Sequence, residues 1–203
     1  MLRSLVGSEM CIRDRSLDAL GYCDEDTYKD LPFLKSMRER GTWIRRLESV
    51  YPTLTYAIHS TIVTGRYPSE HGVDNNLLVQ PERLNMDWYW DESYISGDTI
   101  FKKAHEKSYT ISAFSWPVSG FLPIEYNVPE VWTYEDEEFF EHVKRKGSPE
   151  FIEELYKEIG ERDINDSQKI ADEWMAKAVA YTFKKYQPDI TFLHLIDVDH
   201  QKH

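Results

Sequence analysis

The segment DITFLHLI (Asp189–Ile196) constrains the fold more than any other stretch of the chain. It is a nearly continuous apolar run. It directly follows the helical pattern SQKIADEWMAKAVAYTFKKY, in which Ile170, Trp174, Ala178 and Tyr181 share one face. An apolar run without alternation is the pattern of a strand buried on both faces, as in the centre of a parallel sheet. Upstream, YTISAFSWP predicts a second buried strand ending at Pro117. Helical patterns lie between and before these strands. TYKDLPFLKSMRERG spaces Tyr28, Leu31, Leu34 and Met37 by threes and stops at Gly41. DTIFKKAHEK (Asp98–Lys107) opens on an N-cap and predicts a short helix. SPEFIEELYKEIG has Ser148 as N-cap and Pro149 at the first helical position, with Phe151 where a capping box would need a carboxylate. Helices alternating with buried strands predict an α/β layered fold, with a mostly parallel central sheet flanked by helices.

Active sites in such folds lie beyond the carboxyl ends of the strands. DVDHQKH (Asp197–His203) stands in that position and has the composition of a metal-ligand cluster. From the residues alone two pairings are open, Asp199 with His203 and Asp197 with His200. A second chemical stretch is YPTLTYAIHSTIVTGRYPSEHGVDNN (Tyr51–Asn76), rich in hydroxyls, His and Gly and punctuated by Pro52, Pro68 and Gly72. By composition alone it reads as capping chemistry before a helix. YEDEEFFEHVKRKGSPE reads as a solvated cap region rather than a site.

Charge narrows the partners. Asp and Glu outnumber Lys and Arg by 36 to 24, a net charge of −12, which argues against a nucleic-acid backbone as the main partner. A small phosphorylated substrate held through metal ions remains compatible. No apolar run approaches the length of a membrane span. With 14% aromatic residues the chain has the composition of a globular domain. Nothing in the sequence sets an oligomeric state.

The opening MLRSLVGSEMCIRDR fits neither a signal peptide nor the rest of the chain. LVGSEMCIRD (Leu5–Asp14) is the translation of CTC GTG GGC TCG GAG ATG TGT ATA AGA GAC, which resembles a transposase adapter used in sequencing libraries. The expectation is that residues 1–15 are adapter-derived and that the natural sequence begins near Ser16. That removes Cys11 and leaves Cys23 without an intrachain partner, which points to a reducing, cytoplasmic setting.

The order of residues in Tyr51–Asn76 resembles the type I phosphodiesterase/nucleotide pyrophosphatase family of the alkaline phosphatase superfamily. That family has a P-T-x-T-[FY] turn, then H-x-T-x-x-T-G-x-Y-P-x-x-H-G and an Asn. The matching positions are Pro52, Thr53, Thr55, Tyr56, His59, Thr61, Thr64, Gly65, Tyr67, Pro68, His71, Gly72 and Asn76. Weaker resemblance extends over residues 16–203. It implies an alkaline-phosphatase-like fold, of which 16–203 would be the N-terminal part of an incomplete catalytic domain. It further implies Thr55 as nucleophile and metal-bound alkoxide, and Asn76 as donor to a non-bridging phosphate oxygen. Two Zn2+ ions, or other divalent metals, would be held by Asp18 on one side and by the D-x-x-x-H pair Asp199 and His203 on the other. Tyr56 would stack on a nucleobase. His59 and His71 are read as structural, holding the turn and helix around Thr55. Leu54 stands where many eukaryotic-type members have Lys, which weakens transfer of their substrate preferences.

Two zinc sites need about six side chains, more than the resemblance assigns here. Arg13, Asp14 and Arg15 also do not suit a strand buried on both faces. The expectation is therefore a gene fragment, truncated at both ends and inactive as written. The parent activity would be hydrolysis of phosphodiester or pyrophosphate bonds in nucleotide-like substrates. A phosphomonoesterase or phosphonate hydrolase on the same site is the nearest alternative, and a non-catalytic binding protein retaining the fold is the second.

Overall fold

The computed structural model describes residues 12–132, 138–161 and 171–203. Its frame is a four-stranded sheet of β1 (Ile12–Leu17), β2 (Ile111–Phe114), β3 (Tyr126–Val128) and β4 (Ile190–Leu195), in the order β1-β4-β2-β3. Every pairing is parallel. The apolar run is an interior strand: Ile190 pairs with Ile12 on one side and Ile111 on the other, and Ile190 to His194 are buried. β2 is buried throughout.

β1 lies at the sheet's edge among the described residues, and its side chains are largely exposed. A ladder needs only backbone groups, so IRDRSL pairs with β4 along its whole length while its charges stay in water. The Arg13 guanidinium lies over the Phe183 ring, and that of Arg15 over Phe33. Arg13, Asp14 and Arg15 are thus kept out of a strand covered on both faces, as their charge requires.

The helices are α1 (Glu25–Tyr28), α2 (Pro32–Arg40), α3 (Thr55–Thr64), α4 (Pro68–His71), α5 (Ile100–His105), α6 (Phe139–Lys146), α7 (Pro149–Ile159), α8 (Ala171–Lys185) and α9 (Asp197–Lys202). The single helix expected over Tyr28–Met37 is divided, because Pro32 has no N–H to continue α1 and instead starts α2. Gly41 ends α2, its N–H reaching Met37 O at 2.8 Å. On α5 the cap is Thr99, whose Oγ1 accepts from Lys102 N–H, while Asp98 pairs with Lys102 and Lys103. Ser148 precedes α7 as expected but does not cap it. Its hydroxyl donates to Ile124 O and accepts from Asn127 N–H, fastening the helix start to β3. The acidic run read as a solvated cap contains α6, which buries Phe139 and Val143; residues 134–137 of that run lie outside the described residues. On α8, Trp174 and Ala178 are buried and Tyr181 is half-buried, whereas Ile170 lies outside the described residues.

Side chains leave a strand alternately to its two faces, and the two cores follow that alternation. Ile111, Ala113, Ile190 and Phe192 pack with Val63 and Phe101 in one core. Phe114 and Leu193 pack with Phe151, Ile152, Leu155, Trp174 and Met175 in the other. Helices therefore cover both faces of the sheet, and the strands' carboxyl ends converge between them.

Candidate active site

Every strand delivers a polar group at its carboxyl end. Asp18 follows β1, Ser115 follows β2, Glu130 follows β3, and His194 is the penultimate residue of β4. The imidazole of His194 joins them and is wholly buried. Its Nδ1 faces Glu130 Oε2 at 2.9 Å and Ser115 O at 3.1 Å, both acceptors, so Nδ1 carries a proton. Its Nε2 faces Asp18 Oδ2 at 3.5 Å, a long ion-pair distance. Burial opposes the charged imidazolium, but the carboxylates of Glu130 and Asp18 outweigh it and push the pKa up to about 10. Asp18 also feels burial, which favours its neutral form. Contact with His194, and then the Thr55 hydroxyl, turn the balance and hold its carboxyl below the usual range.

Thr55 is the first residue of α3, and its hydroxyl donates to Asp18 Oδ2 at 3.2 Å. The residue before it, Leu54, has no side-chain oxygen to cap the helix. Asn76 supplies one from 20 residues away: its Oδ1 accepts from Tyr56 N–H at 3.1 Å. With Oδ1 turned to the helix, the Asn76 amide keeps its Nδ2 group free of that contact as a donor. Two histidines brace this helix. His59 Nδ1–H donates to Thr55 O at 2.6 Å, and its Nε2 accepts from the Ser16 hydroxyl at 2.9 Å. Burial, then the nearby His194 charge, hold the His59 pKa down at about 3, so it is neutral. His71 Nδ1 accepts from Val73 N–H, which leaves Nε2–H for Thr61 Oγ1 at 3.0 Å. Gly65 and Gly72 end α3 and α4 in the left-handed region, at φ 65° and 84°.

The segment after β4 is helical over Asp197–Lys202, with His203 at its C-cap. A helix places residues four apart on one face, and His203 Nε2 lies 3.3 Å from Asp199 Oδ1. The N-terminus of α9 is capped by Asp172 on α8, whose two oxygens accept from Ile196 N–H and Asp197 N–H at 2.9 and 3.1 Å. At its other end Lys202 donates to Ala19 O at 2.7 Å and pairs with Asp24, drawing α9 against the loop that carries Asp18.

The structure thus brings Thr55, Asp18 and Asn76 together at the start of α3, and pairs Asp199 with His203 on α9. Among the described residues, no three or more His, Cys, Asp or Glu side chains are grouped closely enough to hold a metal ion. Tyr56 is fully buried, its ring tilted against Trp88 at 5.4 Å and its hydroxyl 3.5 Å from Glu130 Oε1. One position along a helix rotates the side chain by about 100°, which sends Tyr56 into the core when Thr55 faces the site. Sequence reasoning missed Glu130, His194 and Asp172. A signal existed only for His194, the one titratable side chain inside the apolar run DITFLHLI after its opening Asp189. Cys23 is a free, exposed thiol. Among the described residues no helix is long and apolar enough to cross a membrane.

Similarity to known proteins bears on the same elements. Human ectonucleotide pyrophosphatase/phosphodiesterase family member 1 is 29% identical over 114 residues, covering 48% of this chain and 12% of the human protein. A venom phosphodiesterase of Macrovipera lebetinus is 29% identical over the same length, with 13% of that protein covered. Among solved structures, phosphonoacetate hydrolase from Sinorhizobium meliloti superposes with a TM-score of 0.63 at 20% identity, over 94% of this chain and 47% of that one. Murine ectonucleotide pyrophosphatase/phosphodiesterase 5 gives 0.58 at 17% identity, over 95% and 45%. The chain therefore spans about an eighth of the length of the curated relatives and just under half of the solved ones. These neighbours share an alkaline-phosphatase-like α/β fold. Residues 16–203 match the model of type I phosphodiesterases/nucleotide pyrophosphatases, and the chain belongs to that family.

Proposed function

We propose that this protein is a metal-dependent hydrolase of phosphodiester or pyrophosphate bonds in small, nucleotide-like substrates, with Thr55 as its nucleophile. The observation that carries the reading is the Thr55 hydroxyl donating to Asp18 at the start of α3, with the Asn76 amide alongside. Asp18 fixes the direction of the Thr55 oxygen and accepts its hydrogen bond. Asn76 Nδ2 donates to a non-bridging phosphate oxygen, a contact that gains strength as charge builds there in the transition state. The amino end of α3 adds a partial positive charge that favours an anion at the same place.

The donor chemistry fits zinc: Asp18 with Thr55 on one side, and Asp199 with His203 on the other, are the oxygen and nitrogen ligands that ion takes. Neither pair alone reaches the about four ligands of a full site. A divalent metal held by Asp18 and Thr55 would supply positive charge to stabilise the Thr55 oxygen as alkoxide and to offset phosphate charge. With partial donor sets, turnover by this chain is expected to be slow beside that of its longer relatives.

Because Tyr56 is buried, a nucleobase preference has no aromatic support beside Thr55. A phosphomonoester or phosphonate substrate therefore stays in the comparison. The test is nitrophenolate release from bis(p-nitrophenyl) phosphate and from p-nitrophenyl phosphate, with Zn2+ and with chelator. Expected is zinc-dependent release from the diester, well above that of Thr55→Ala. A faster monoester reaction reassigns the substrate class. Equal release by wild type and Thr55→Ala overturns the nucleophile.

A further inference from the structure

A buried carboxylate and a buried imidazole, 64 residues apart in the chain, meet at 2.9 Å behind Asp18. Glu130 is 6% exposed and His194 is fully buried. Such a pair needs explaining, because well-packed apolar residues usually stabilise an interior as well as a buried ion pair does. Its position suggests the reason. Three contacts run in one line, from Glu130 Oε2 to His194 Nδ1, and from His194 Nε2 through Asp18 Oδ2 to the Thr55 hydroxyl. Ser115 O also accepts from Nδ1 and fixes the ring's rotation. The other Asp18 oxygen, Oδ1, accepts from Ala19 N–H at 2.9 Å.

We propose that Glu130 and His194 are positioning residues for the site: Glu130 orients His194, and His194 holds the Asp18 carboxylate in the rotamer that meets Thr55 and faces a divalent metal. This deepens the function proposed above and rests on it for the metal. The arrangement explains three features together. Nε2 of His194 is buried, makes no hydrogen bond of good geometry, and lies 3.5 Å from the Asp18 carboxylate. His59, whose ring centroid lies 4.5 Å from that of His194, makes its own contacts with Thr55 and Ser16 and so does not compete for Asp18. Glu130 is placed by the loop after β3, which joins the fourth strand of the sheet to the site. Partners behind a metal ligand commonly change affinity by about 10–100-fold when removed.

Asn and Gln separate the two nitrogens of His194. His194→Asn keeps a donor near Nδ1, toward Glu130, and loses the one toward Asp18. His194→Gln keeps a donor near Nε2 and loses the one toward Glu130. Zinc affinity by competition with a chromophoric chelator is expected to fall about 10–100-fold in His194→Asn. It should recover most of that in His194→Gln, and fall less in Glu130→Gln. Urea unfolding of each variant reports whether the fold is intact. The side-chain couplings of Asp18, measured by NMR on the metal-free chain, give a readout independent of zinc. They should show a single rotamer in wild type and His194→Gln, and averaging in His194→Asn. Equal zinc affinity in folded His194→Asn and wild type, equal losses in both His194 variants, or an averaged Asp18 rotamer in wild type would overturn the proposal. Should wild type take up no zinc, the metal reading falls, and the Asp18 rotamer decides the positioning role by itself.

Discussion

Asn76 Oδ1 accepts a hydrogen bond from Tyr56 N–H at 3.1 Å, so one amide caps α3 through its oxygen and keeps its NH2 group for the proposed phosphate contact. The two roles separate by substitution. Asn76→Asp keeps an acceptor for the helix but loses the donor and adds a negative charge beside the phosphate. Its urea midpoint should stay close to wild type while nitrophenolate release falls about 10²-fold or more. Asn76→Ala should lose release to a similar degree and also about 1 kcal/mol of stability, the usual worth of an N-cap. Full activity in Asn76→Asp would remove Asn76 from the reaction.

Tyr56 behaves as core in this fold. Truncation to Ala should cost about 3–5 kcal/mol in urea unfolding, the range for a large aromatic removed from a packed interior. Tyr56→Phe keeps the packing against Trp88 and removes the 3.5 Å contact to Glu130, so its stability should stay far closer to wild type than that of Tyr56→Ala and its preference among diester substrates should match wild type. A stacking residue would give the opposite result, with little loss of stability in Tyr56→Ala and a raised KM for nucleotide esters.

What could be read from the sequence follows from how local each cause is. DITFLHLI declares a buried strand because its neighbours in sequence are the cause, and β4 is that strand. β3 has three residues and no pattern of its own; its partner β2 creates it. β1 is concealed because its charges describe an edge while its backbone does the pairing. Thr55, Asn76 and Asp18 were reached through family order alone. The physical link between Asn76 and α3 spans 20 residues and leaves no periodicity to detect. Glu130 is invisible for the same reason, since its partner His194 lies 64 residues away. The helical form of Asp197–His203 depends on Asp172, which caps it from α8.

The histidines bracing α3 predict how stability responds to acid. His71 accepts from Val73 N–H at Nδ1, and burial lowers its pKa; His59 is held at about 3 by burial and by His194. In the unfolded chain both titrate near 6.5. The folded state then binds fewer protons than the unfolded state below that pH, so stability falls as pH falls through this window. Each such histidine costs up to about 1.4 kcal/mol per pH unit until its folded pKa is reached. Above pH 6.5 the raised pKa of His194 acts in the opposite sense, so the decline belongs to the lower range: urea midpoints of the metal-free chain from pH 6.5 down to about 5 should fall, and His71→Asn should flatten part of the slope. A midpoint rising on acidification over this range would contradict the assigned neutral tautomers.

Asp172 offers the sharpest test of how α9 is held. A six-residue helix has too few internal bonds to stand alone, and its amino end rests on the two oxygens of Asp172. Asp172→Ala leaves both N–H groups unpaired, and the expected cost is about 1 kcal/mol of global stability. The local effect should be larger. Amide exchange in Asp197–His203 should quicken while that of β4, paired on both sides, stays slow. Asp199 and His203 are aligned only while α9 is helical, since the four-residue spacing brings them to 3.3 Å there. Zinc affinity should therefore fall in Asp172→Ala although neither proposed ligand on α9 has been changed. Unaltered exchange in α9 together with unaltered zinc affinity would show that Lys202, through Ala19 and Asp24, is the stronger anchor of that helix.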